Sequence, residues 1–182
     1  MKMLKKLLAV VLTGAMALTL LTACGGNAVN DKNIADALND IVKSSVAAGQ
    51  TKGYTFKPRT DEQAMAKAIA ALSESDRHTT GGKASEKVMK ILKLDEGGAN
   101  KNNFVWWGAV IADEIGTAGQ AYNVMDKILS KDAVNAGKLT GKKPGDIRYI
   151  GTALGTVTYE GGKPTRVRFI VVTADAEPVD KK

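Results

Sequence analysis

Two long β-rich runs near the C-terminus constrain the fold more than any other part of the chain. Residues 146–160, DIRYIGTALGTVTYE, and 164–174, PTRVRFIVVTA, are separated by Gly161-Gly162-Lys163. β-Branched and aromatic residues suit a pleated, half-buried surface, and glycines between such runs supply the backbone freedom of a tight reversal. The pattern predicts an antiparallel hairpin. On its second strand Val167, Phe169 and Val171 share one face, while Arg166 and Arg168 share the other.

Upstream the pattern changes to helical periods. Ile34, Leu38, Ile41, Val42 and Val46 predict a helix over 34–48 that ends at Gly49. Residues 49–60 read as a connection with Tyr54 and Phe56 packed inward and Pro58 stopping any helix. Thr60 suits an N-cap, with Asp61 and Glu62 in the first turn of a helix over 61–74. Met65, Ile69 and Leu72 give that helix its stripe, and its five alanines let it approach a neighbour closely. A third helix over 84–94 is led by Ser85 and carries Val88, Met89, Ile91, Leu92 and Leu94. After a loop over 95–103, FVWWGAVIA at 104–112 reads as a buried strand. A fourth helix spans 117–130, and a basic, glycine-bearing loop follows from Asn135 to Gly145. No internal repeat and no second domain is evident.

The N-terminus reads as a leader. MKMLKK precedes the apolar run Leu7–Leu21, which is short for a membrane span and suits a signal-peptide core. Leu21-Thr22-Ala23-Cys24 then looks like the lipobox of bacterial lipoproteins, in which cleavage exposes a cysteine whose sulfur takes diacylglycerol. Cys24 is the only cysteine; the alternative is an ordinary secretory signal with an incidental cysteine. The expected organisation is a signal peptide at 1–23, a lipidated Cys24 with a tether to 33, one domain over 34–174, and a frayed charged tail at 175–182. Lipidation of Cys24 leaves no free thiol and no disulfide, so an ordinary core must hold the domain together. Three of the lysines behind the net charge of +7 lie in the leader, leaving +4. That balance suits mild attraction to anionic lipid or wall polymer and does not suggest nucleic acid. The expected location is extracytoplasmic, with the lipid on Cys24 as the membrane attachment.

The order of these pieces resembles the CAP superfamily, the cysteine-rich secretory, antigen-5 and pathogenesis-related proteins. An alanine-rich helix runs into His78-Thr79 and Gly82, where bacterial members carry a histidine segment that opens another helix. Trp107-Gly108-Ala109-Val110-Ile111-Ala112 stands where the family has its GENIA strand. AYNVMDKILSKDAVNAGKL takes the place of the next helix. Tyr149-Ile150-Gly151-Thr152-Ala153-Leu154-Gly155, Gly161-Gly162-Lys163 and Arg168-Phe169-Ile170-Val171 follow the family's closing hairpin. The resemblance implies an α+β fold, a three-layer α/β/α sandwich of CAP type with a C-terminal antiparallel hairpin. It also implies a cleft with two histidines and two acidic residues, sometimes holding a cation. Of that set only His78 is present. Ala109 replaces the glutamate expected after Gly108, and no histidine stands near Ser130. Asp76, Asp113, Glu114 and Asp132 are the nearby acids from which the cleft would have to be refilled.

The remaining chemistry points away from catalysis. A zinc site needs three or four His, Cys or carboxylate ligands, and this chain offers one histidine, so no metal or other cofactor is expected. No calcium loop, G-x-S-x-G elbow or complete P-loop is present. His78 reads as a remnant in a loop or cleft. Trp106 and Trp107, adjacent in a strand, must face opposite ways, so one is core and the other is free to meet a ligand. Lys142 and Lys143, in GKLTGKKPG, form a basic loop that reads as solvated or as a contact for envelope anions. The candidate binding residues are therefore His78, Trp106, Trp107, Lys142 and Lys143. The expected function is non-catalytic binding of a ligand or protein partner at the cell envelope. Two alternatives remain: an envelope peptide or glycan hydrolase pairing His78 with a recruited carboxylate, and a lipid-binding carrier.

Overall fold

A computed structural model describes residues 30–78, 83–94, 101–113, 115–158 and 162–179. The signal peptide, Cys24, most of the tether, Thr79, Gly82, Glu114 and Gly161 lie outside the described residues. Helices α1 (Asp31–Ala47), α2 (Thr60–Ala71), α3 (Glu74–Arg77), α4 (Glu86–Ile91) and α5 (Thr117–Val124) combine with five strands. These are β1 (Thr55–Pro58), β2 (Asn103–Ile111), β3 (Lys142–Pro144), β4 (Ile147–Thr158) and β5 (Pro164–Pro178). The result is a mixed α and β fold.

The predicted hairpin is the centre of the sheet. β4 and β5 pair antiparallel from Tyr149↔Thr173 to Thr158↔Pro164. β2 pairs antiparallel with the other side of β5, while β1 pairs parallel with β4, giving the order β1-β4-β5-β2. Alternation along the strands sends two apolar sets to opposite faces. Phe104, Trp106, Val110, Ile150, Ile170 and Val172 meet α1 and α5 in one core. Val105, Ala153, Val167, Phe169 and Val171 meet α2 and α4 in the other. Helices therefore cover both faces.

Several boundaries differ from the sequence reading, each for a local reason. α1 begins at Asp31, three residues early, because the Asn30 side chain accepts from the Asn33 amide and caps it. The Asp31 carboxylate then accepts from the Thr152 amide (3.1 Å) and hydroxyl (2.5 Å) and from the Gln63 side chain (2.9 Å). What reads as tether thus ties α1 to β4 and α2. Thr60 is the first residue of α2 and not its cap. The helix stops at Ala71, and Ser73 caps the single turn α3. The connection over 49–60 contains β1, an edge strand whose four residues include Pro58, which hid it from a pattern search. The tail expected to fray from 175 is the end of β5 as far as Pro178, because β3, inside the basic loop, pairs with it. The last turn expected of the fourth helix, Met125–Leu129, continues α5 as a π-helix.

Close packing of α2 depends on glycine. Gly151 and Gly155 lie four residues apart on the face of β4 that meets α2. A Cβ at Gly151 would fall 1.9 Å from the Gln63 amide nitrogen. The carbonyls of Ile69 and Ala70, at the end of α2, are taken by the buried Arg77 guanidinium, whose third bond goes to the Thr156 carbonyl.

After α4, Lys93 holds a left-handed φ of 58°, while the Leu94 amide reaches back to the Met89 carbonyl at 2.7 Å. This is the turn that glycine usually closes, since a Cβ is strained there. Lys93→Gly is expected to raise stability by about 0.5–1 kcal/mol, measured by thermal denaturation. An unchanged or lower melting temperature would refute that account.

Candidate functional site

His78 is exposed. Its backbone is fixed where the end of α3 meets the start of α4: His78 bridges Ala84, and the Ser85 amide donates to the Arg77 carbonyl at 3.0 Å. Its ring stacks on Trp107, with centroids 5.6 Å apart and planes 25° apart. Two of the candidate residues are therefore brought together. No two of the described candidate acids join His78 in a cluster that could hold a metal ion. Asp76 is paired with Lys87 at 2.8 Å, and hydrogen bonds from Lys87 and then Ser73 hold its carboxyl below the ordinary range. Asp113 and Asp132 are exposed, and Glu114 lies outside the described residues. Among the described residues no three His, Cys, Asp or Glu side chains lie close enough to hold a metal ion.

The two tryptophans divide as their alternation requires. Trp106 is in the core on the α1 side, and its indole N–H donates to the Lys131 carbonyl at 3.0 Å. The Arg148 guanidinium lies 5.1 Å from the Trp106 ring and 5.1 Å from that of Tyr54. Burial lowers the Arg148 pKa from its ordinary value and raises that of the Tyr54 hydroxyl. Trp107 is half-buried on the opposite face. Lys142 and Lys143 belong to β3, and the Lys142 ammonium donates to the Lys101 carbonyl at 2.8 Å.

A concave feature of the described surface lies elsewhere. A cavity of about 300 Å³ opens between the start of α2, the end of α4, the start of β2 and the end of β5. Arg59, Asp61, Glu62, Lys93, Thr173 and Asp175 line it with polar groups, above a floor that includes Met65, Leu92 and Val105. None of the five binding candidates from the sequence belongs to this lining. Val105 and Trp107 do share one face of β2, so the cavity and the His78 stack lie on the same side of the sheet.

At the cavity wall is a compact ionic group. Glu62 is completely buried and accepts from Arg59 Nε at 2.7 Å, Arg59 Nη2 at 2.5 Å and the Thr173 hydroxyl at 2.7 Å. Arg59 also donates to the Thr173 hydroxyl and lies 3.8 Å from the centre of the Tyr149 ring. The hydrogen bonds that Arg59 donates to Glu62 raise the Arg59 pKa above its ordinary value, against the opposing effect of desolvation. A forked guanidinium–carboxylate pair of this kind is rigid and fixes that wall of the cavity. The spacing Arg59-x-x-Glu62 was visible in the sequence, but two acids at a helix start read first as dipole partners.

A second buried group, Asp31, Thr152, Arg168 and Gln120, lies on the opposite face. Arg168 donates to Gln120 (2.8 Å) and to the Thr152 hydroxyl (3.0 Å), which itself donates to Asp31. It ties elements together and opens into no cavity among those described.

No protein-family model, curated protein or solved structure matches the chain.

Proposed function

We propose that this is an envelope lipoprotein with a CAP-like domain that binds a small, polar, amine-bearing ligand in the Arg59–Glu62 cavity. The cavity carries the reading. Glu62 is neutralised by Arg59, which leaves the carboxylates of Asp61 and Asp175 against the single ammonium of Lys93. That balance attracts a cationic or zwitterionic group, and the apolar floor accepts a short carbon skeleton. The CAP assignment is supported by the order helices, strand, helix, hairpin and by helices on both faces of the sheet. The anchor rests on the run before Cys24 and its place in the sequence. His78, stacked on Trp107 and outside the cavity lining, acts as a packed surface residue.

The test is thermal denaturation of the chain with soluble peptidoglycan fragments, which carry free amines and carboxylates. Binding should raise the melting temperature, by up to about 2.7 kcal/mol of stability at a hundredfold excess over Kd. Asp175→Asn and Asp61→Asn should shrink the shift, and His78→Ala should leave it intact. A shift lost in His78→Ala, or cleavage of the fragments, would replace this reading with a hydrolase. Labelling with a fatty-acid analogue tests the anchor: incorporation should vanish in Cys24→Ala, and its persistence would remove the lipobox from the account.

A further inference from the structure

Sheet edges are exposed templates for another strand, and monomeric proteins cover them. This protein covers parts of its own edges with side chains that imitate a strand. On β1, Asn39 accepts from the Phe56 amide at 2.7 Å and donates to its carbonyl at 3.0 Å. Beyond β1, Asp31 takes the Thr152 amide, Arg77 the Thr156 carbonyl and Glu74 the Thr158 amide, so each outward residue there except Leu154 has one backbone group bonded. At the start of β2, Asn135 accepts from the Val105 amide and donates to the Asn103 carbonyl, and the Val134 amide donates to the Val105 carbonyl.

Among the described residues, nothing bonds the rest of the β2 edge. The Ala112 amide bonds the Arg166 carbonyl, so even-numbered residues of this strand face β5 and odd-numbered ones face outward. The outward backbone groups of Trp107, Ala109 and Ile111 have no partner among the described residues. Residues 104–112 contain no charge and no proline, the usual means of blunting an edge. Exposed apolar side chains flank the bare stretch: Ile111 is 42% exposed, and Val134, beside the covered end, is 50% exposed.

We propose that a second copy of this chain pairs with this edge, β2 against β2, antiparallel about a twofold axis at Ala109. The bare stretch is self-complementary in that register. Ala109 meets Ala109 of the other copy, and Ile111 meets Trp107 in both directions, so every outward amide and carbonyl is bonded. Ile111 then covers the half-buried indole that His78 covers from its other side. The charges agree as well. Asp113, exposed where the chain bends after Ile111, comes to the covered end of the other strand. There the exposed Lys131 is held by the bond from Trp106 to its carbonyl. A five-residue pairing is smaller than the roughly 800 Å² per partner of a standard interface, so the association is weak and concentration-dependent.

The experiment is sedimentation velocity of the full chain in mild detergent, across about a hundredfold range of concentration. The wild type should pass from monomer to dimer. Ala109→Lys and Ala109→Glu should each remain monomeric, with melting temperatures in dilute solution equal to that of the wild type, because Ala109 is exposed. Mixing the two variants should restore the dimer, since the axis places the new charges opposite one another. A wild type that stays monomeric throughout overturns the proposal and leaves the edge to a different chain. Dimers that persist in Ala109→Lys overturn it by placing the interface elsewhere.

Discussion

Gly151→Ala should cost more than about 3 kcal/mol, and Gly151→Val should abolish folding. A Cβ at this position would lie 1.9 Å from the Gln63 nitrogen and 2.1 Å from the Glu62 carbonyl carbon. Both atoms belong to helix backbone, so no rotamer change relieves the overlap and α2 must move off the sheet. That motion would loosen Ala66 and Ile69 from the core they share with Ala153, Val171 and Phe169. Gly155 provides the control. A Cβ there meets the Phe169 ring at 2.8 Å and Ala70 at 3.5 Å, so a side chain gives way and Gly155→Ala should cost only about 1–2 kcal/mol. Chemical denaturation of the two variants checks the ratio. Equal losses would show that the closeness of α2 to β4 is not the cause.

Glu62→Ala should be the most damaging single change to the cavity wall, at about 3 kcal/mol. It removes the carboxylate that accepts both Arg59 bonds and the Thr173 bond, and leaves Arg59 charged against an apolar gap. Arg59 is 35% exposed, so water recovers part of its solvation and the loss falls at the low end for a broken buried pair. Glu62→Gln keeps an acceptor for Thr173 and should cost less, about 1–2 kcal/mol. Replacing Arg59 and Glu62 together with methionine and leucine should recover much of the loss, since apolar groups of similar volume leave no stranded charge. Additive losses in the double variant would contradict that argument.

The sequence carried the fold well where packing follows local periodicity. The hairpin, the three longer helices and β2 all appear within a few residues of their expected ends, because each is long and strongly patterned. The alanines of α2 announced a close approach, and the surface approached is the glycine pair of β4. The failures share a different cause. β1 and β3 are four and three residues long and exist because β4 and β5 offer them edges, a reason absent from their own composition. Asp31, Glu62, Arg77 and Arg168 all read as solvated charges by type. Their full or, for Asp31, partial burial depends on partners that are distant in sequence or on backbone carbonyls at the ends of elements. For the site, His78 and Trp107 were singled out separately and are found stacked. The cavity was missed because its walls come from four elements, and no local spacing brings Arg59, Lys93 and Asp175 together.

The arrangement of the sheet also sets the order in which the molecule can form. β5 is the last of the described strands, yet it lies between β4 and β2 and also carries β3. β1 waits for β4, about ninety residues later, before it has any neighbour. Among the described strands, none made before residue 142 pairs with another, so the sheet cannot nucleate until β4 and β5 are made. On the proposed export route, the sheet would form only after β4 and β5 have reached the far side of the membrane.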